Sequence, residues 1–158
     1  MRTIILFIVF ALVSSLLPAG AQGKAAGSRT VYSLKLDPPV LVERGLGPNG
    51  PAMSPAKIEL SVSYIADDRL EGSAGYGYSD CGLHGGGRVE GIIKKNRLDI
   101  KIVDKTGQPL ITLAGCGDAT GGFSGQARVV QPLPGSYGEV GKGLRRFELR
   151  RLEKKIKG

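Results

Sequence analysis

One short stretch holds most of the side chains that could do chemistry. Residues 76–87, YGYSDCGLHGGG, carry the single histidine of the chain, His84, together with Tyr76, Tyr78, Asp80 and Cys81. An imidazole beside a carboxylate can move a proton, and a thiol beside an imidazole can act as a nucleophile. Against both uses, Cys81 is expected to be consumed in a disulfide, and one histidine cannot build a usual metal shell. No catalytic set, no metal site and no cofactor are therefore expected. Other catalytic patterns fail as well. GGFSG at 121–125 places its serine one position too late for a Gly-x-Ser-x-Gly elbow. Asp67, Asp68, Asp99 and Asp104 fall in turns or on polar strand faces, and the glycine runs lack the Lys-Ser/Thr of a phosphate loop. A small secreted enzyme using Asp80 and His84 stays as an alternative to binding. In the binding reading, Tyr76 and Tyr78 alternate onto one strand face. With His84 and the 44–57 segment they line a mouth that takes a small apolar ligand or a glycan.

The second chemical signal is charge. The chain carries 22 Lys and Arg against 14 Asp and Glu, a net +8. Its last 17 residues hold eight of the cations against two glutamates, so the basicity is a C-terminal feature. Arg145, Arg146, Arg150, Arg151, Lys154 and Lys155 are the candidate contacts for an anionic envelope surface or a macromolecular partner. Nucleic acid is not an expected partner for an exported chain with so few aromatics beside those cations.

Export is read from the N-terminus. Arg2 precedes an apolar and small-residue run from Ile4 to Leu17, Pro18 ends it, and Ala19-Gly20-Ala21 has the small-x-small form of a signal-peptidase site. That run has 14 residues, below the ~18 of a spanning helix. Residues 1–21 are expected to be a cleaved signal peptide, leaving a secreted or periplasmic protein with no transmembrane segment. In such a compartment Cys81 and Cys116, the only cysteines, have one possible connectivity. Their bridge would be worth roughly 4 kcal/mol in the chain-entropy model.

The elements that must position these groups are strands. Glycine, at 25 of 158 residues, is too dense for long helices. Apolar residues alternate in Tyr32-Leu34-Leu36, in Ile58-Leu60-Val62-Tyr64 and in Leu98-Ile100-Ile102, and later in Phe123 to Val129 and Phe147-Leu149. Asp37-Pro38-Pro39 breaks the first run. Residues 44–57, RGLGPNGPAMSPAK, with three prolines and three glycines, read as a long loop. The pattern predicts an all-β domain: a small antiparallel up-and-down barrel of about eight strands, or a two-sheet sandwich. The domain is placed at 30–152, after a polar leader at 22–29 and before a basic tail at 153–158. The expected function is that of an exported, non-enzymatic binding protein with a ligand at its mouth. The alternative is an interaction protein that uses its outer face and basic C-terminus.

Overall fold

A computed structural model describes residues 29–65, 68–78, 82–133 and 142–153. Nine strands account for most of them: β1 (Thr30–Asp37), β2 (Leu41–Gly47), β3 (Gly50–Tyr64), β4 (Arg69–Tyr78), β5 (Gly82–Lys94), β6 (Arg97–Val103), β7 (Pro109–Asp118), β8 (Gly122–Val129) and β9 (Gly143–Arg151). All neighbours are antiparallel. β3 to β9 follow one another around the sheet, and β1 pairs with both β9 and β3. The sheet therefore closes into an eight-stranded barrel, with β2 as an extra strand on the first half of β3. Closure decides between barrel and sandwich.

Alternation along each strand puts the apolar side chains inside. In β6, Leu98, Ile100 and Ile102 are buried while Arg97, Asp99 and Lys101 are exposed. Side chains from all eight barrel strands, among them Tyr32, Leu60, Tyr76, Ile111 and Phe147, form one buried cluster. Two aromatic rings lie over glycines of other strands, one on the adjacent strand and one on the next but one. Phe147 covers Gly115 and Tyr76 covers Gly85, so that a Cβ on either glycine would run into the ring. The outer wall is polar, with Glu71, Glu90, Lys101 and Arg128 pointing out. This is the reverse of a lipid-spanning barrel, whose outward face is apolar.

Residues 44–57 are not the loop their composition implies. β2 and β3 form a hairpin through Pro48-Asn49, and Gly50 takes the positive φ (112°) that follows such a turn. Pro51 and Pro55 are tolerated because the stretch before Ala56 pairs with β2 alone, so a strand lacking those N–H groups loses no second ladder.

The structure does not support the expected disulfide. The barrel has two ends; Cys116 stands at one, and Gly82, next to Cys81 in the chain, stands at the other. Cys116 sits in β7 opposite Arg97, which is opposite Lys94 at the far end of β5. Cys81 lies outside the described residues, but its neighbour Gly82 begins β5, and β5 has 13 residues. At ~3.3 Å per residue the two sites are about 40 Å apart, against the ~7 Å between Cα atoms that a bridge allows. Cys116 is an exposed free thiol on the outer wall.

Candidate functional site

A concavity lined by described residues lies on the outer wall, not in the lumen. Asp37-Pro38-Pro39 ends the pairing of β1 with β9, because neither proline offers an N–H to extend the ladder, whereas β1 has already parted from β3 after Leu34. β1 is paired with β3 from Thr30 to Leu34 and with β9 from Tyr32 to Asp37. The chain swings out through Pro38 and Pro39 and returns to β3 at Val40, whose carbonyl accepts from the Ala56 N–H at 2.7 Å. Between this corner and the wall made by β1, β9 and β8 lies a cleft of about 980 Å³. Pro39, Pro55 and Ala56 give it an apolar side, and Lys35, Arg146, Glu148 and Gln126 a polar one. Its charges are matched: across β1 and β9 Lys35 stands opposite Glu148 and Asp37 opposite Arg146, and along β3 Lys57 Nζ meets Oε1 of Glu59, outside the cleft, at 2.8 Å. The cleft is therefore rich in donors and acceptors but carries little net field.

Arg145 shapes this corner from inside. β9 alternates so that Arg145, Phe147 and Leu149 point into the barrel, and Arg145 is only 9% exposed. Its guanidinium donates to the carbonyls of Pro38 and Pro39. The sequence counts Arg145 among the surface cations; its strand parity makes it a core residue instead. Arg146 and Arg150 do face out, but on the side wall beside carboxylates: Arg146 opposite Asp37, and Arg150 bonded to Glu148 at 2.9 Å. Arg151 is exposed at the end of β9, and Lys154 and Lys155 lie outside the described residues.

Of the expected mouth residues, Tyr76 is buried in the core, with its hydroxyl donating to the Gly86 carbonyl at 3.4 Å. Burial, reinforced by the charge of Asp104, pushes its phenol up, so it stays neutral. The side chains of Tyr78 and His84 lie outside what the structure describes. The backbone of His84 is informative: Tyr76 pairs with Gly85 and Gly77 with Leu83, which leaves His84 as the extra residue of a bulge. At the other end, the hydroxyls of Tyr32 and Tyr64 meet at 3.3 Å. Burial first, then that hydrogen bond, push the Tyr32 phenol well above its usual range.

Two turns share the pattern Asp-x-Thr-Gly, at 104–107 and 118–121. In each, one carboxylate oxygen accepts from a threonine N–H and hydroxyl and from one further backbone N–H, that of Gln108 or Gly121. For Asp104 the Thr106 side-chain bond is the largest cause holding the carboxyl below its ordinary range, and for Asp118 it is the Gly121 N–H. A carboxyl lowered in the folded state stabilises the fold above its ordinary pKa, and that stability is lost as pH falls through the lowered value. The urea midpoint should therefore drop on acidification below about pH 4, and less steeply in the Asp104→Asn/Asp118→Asn double variant. Parallel midpoint curves for the two proteins would show that these turns carry none of the acid sensitivity.

Compared with known proteins, the chain matches no family model, no curated protein and no solved structure. Among the described residues, no three His, Cys, Asp or Glu side chains group as metal ligands, and no helix is long and apolar enough to cross a membrane. Sequence reasoning missed the cleft because its walls come from β1, β3, β8 and β9, which only the barrel brings together. The one local signal was Asp37-Pro38-Pro39, read there simply as a strand end.

Proposed function

We propose that this is an exported, non-enzymatic binding barrel whose ligand is a neutral, hydroxyl-rich small molecule of the saccharide class, taken in the cleft between the β1–β2 corner and β9. The observation that carries the reading is the chemistry of the cleft. A hydroxyl both donates and accepts, and suits a surface where each cation faces a carboxylate and the net field is small. Pro39, Pro55 and Ala56 offer a flat apolar side to the C–H face of a ring. The cleft volume is within the range of small-molecule sites. Its two carboxylates each face a cation, whereas acid–base hydrolysis of a glycoside needs two carboxylates flanking one bond. A lumen filled by the buried cluster argues for a ligand on the wall. Export rests on the apolar run Ile4–Leu17 and the small-residue motif after it.

Amide shift mapping with cello-, malto- and chito-oligosaccharides tests this. Shifts are expected at Ser33 to Asp37 and Ser124 to Gln126. Glu148→Ala should weaken binding about tenfold, the loss of one hydrogen bond to a charged group. If no oligosaccharide moves these amides and the apolar probe N-phenylnaphthylamine does, the saccharide reading is wrong and the ligand is apolar.

A further inference from the structure

Independently of the cleft, the opposite end of the barrel assembles a basic surface from segments far apart in the chain. The β3–β4, β5–β6 and β7–β8 hairpins and both strands nearest the termini meet there, since Lys94 pairs with Arg97, Gly117 N–H donates to the Asn96 carbonyl, Thr30 pairs with Val62, and Leu152 N–H donates to the Val31 carbonyl. Six exposed cations result: Arg29, Arg69, Lys94, Lys95, Arg97 and Arg151. The exposed carboxylates among the described residues there are Asp68, Asp99, Asp118 and Glu153, and Asp118 is occupied by its own turn. The cleft end carries Lys105, Lys142 and Arg146 against Asp37, Glu43 and Asp104, so the excess of cations lies at the end opposite the cleft.

Four of the seven exposed large apolar side chains among the described residues stand at the same end; Leu41, Met53 and Leu144 stand toward the other. Ile65 (46% exposed), Ile92 (48%) and Leu152 (41%) are there, with Tyr64 (38%). Ile65 N–H donates to the Arg69 carbonyl and Arg69 is the register partner of Ile92, so an arginine stands between two exposed isoleucines on adjacent strands. A second concavity of about 660 Å³ opens between Arg29, Thr120 and Arg151.

We infer that this end of the barrel docks on an anionic lipid surface. Cations alone would suit any polyanion. Bulky apolar side chains set among them are what an interface with lipid headgroups rewards, because they enter the acyl boundary while the cations stay with the headgroups. The barrel axis then stands on the membrane with the cleft held away from it, toward solvent.

The test is co-sedimentation of the processed protein, its N-terminus read by mass spectrometry, with phosphatidylcholine vesicles with and without phosphatidylglycerol. Binding is expected only with phosphatidylglycerol, and should fall as salt rises. Lys94→Glu/Lys95→Glu/Arg97→Glu should reduce partitioning about a hundredfold, at about fivefold per cation. The control Lys101→Glu/Lys105→Glu/Arg128→Glu, which reverses as many exposed charges elsewhere, should change it less than about threefold, the residual effect of net charge. Ile65→Ser/Ile92→Ser should weaken binding to vesicles and leave retention on heparin unchanged. Thermal melts of each variant establish that the barrel is intact. Equal losses in the two charge triples would mean net charge alone, and an unaffected isoleucine variant would mean a soluble polyanion; either overturns the inference, as does the absence of vesicle binding by the unmodified chain.

Discussion

Gly91→Ala is expected to destabilise the barrel by about 3 kcal/mol, at the upper end of overpacking costs. Gly86→Ala, five residues earlier on the same strand, is expected to change stability by less than about 0.5 kcal/mol. Both glycines lie in β5, so strand propensity predicts the same small gain for both. The surroundings differ. A Cβ on Gly91 would stand 2.2 Å from the Asp99 carbonyl oxygen and 2.8 Å from the Ile100 Cα, both backbone atoms of β6 that no rotamer change can move. A Cβ on Gly86 meets nothing nearer than the Ala74 carbonyl at 3.5 Å. Gly91 is therefore a place where two strands coil too tightly for a side chain, as closing a small barrel requires. Urea unfolding midpoints of the two variants decide the matter. Equal midpoints would mean that β5 and β6 separate at no cost, and that the close approach is not part of what closes the barrel.

The second large effect is expected at Arg145. Arg145→Met should cost about 2 kcal/mol, whereas Arg146→Ala, its exposed neighbour, should stay within about 0.5 kcal/mol. Two opposing terms set the size. Removing a buried cation relieves its desolvation, and methionine fills much of the volume, which by itself could be neutral. The Pro38 and Pro39 carbonyls, however, lose a charged donor. Because both prolines are exposed, water recovers part of that loss, which keeps the figure below the full value of two charged hydrogen bonds. Faster amide exchange at Ala56, whose N–H is held by Val40 just beyond the corner, should accompany the drop in urea midpoint. If Arg145→Met matches the unmodified protein in both measurements, the corner is held by the packing of Val40 alone. The same variant should also weaken binding in the cleft, because the corner is one of its walls.

What was legible in the sequence was local. Leu98, Ile100 and Ile102 alternating with Arg97, Asp99 and Lys101 announce a strand with one face buried, and Lys95-Asn96 announces the turn before it. Repeated across the chain, that pattern leads to an all-β domain, barrel or sandwich, and the pairing of β1 with both β9 and β3 makes it a barrel. The prolines of residues 44–57 misled because composition was weighed above context: proline excludes a strand only where both of its edges are paired. Arg145 was misread for a related reason. Its charge was counted, while its parity with Phe147 and Leu149, visible in the same nine residues, was not.

Register was a different matter. The sequence by itself determined which residues face in, because side-chain direction in a strand has period two and needs only near neighbours. Only the tertiary structure decided that Gly82, beside Cys81 in the chain, and Cys116 stand at opposite ends, that β1 leaves β3 at Leu34 to open a cleft, and that Lys94, Arg69, Arg29 and Arg151 share one rim. Those outcomes depend on which strand lies beside which and by how many residues each is shifted. That is settled by closing the barrel over its whole core at once, and no window of the chain holds it.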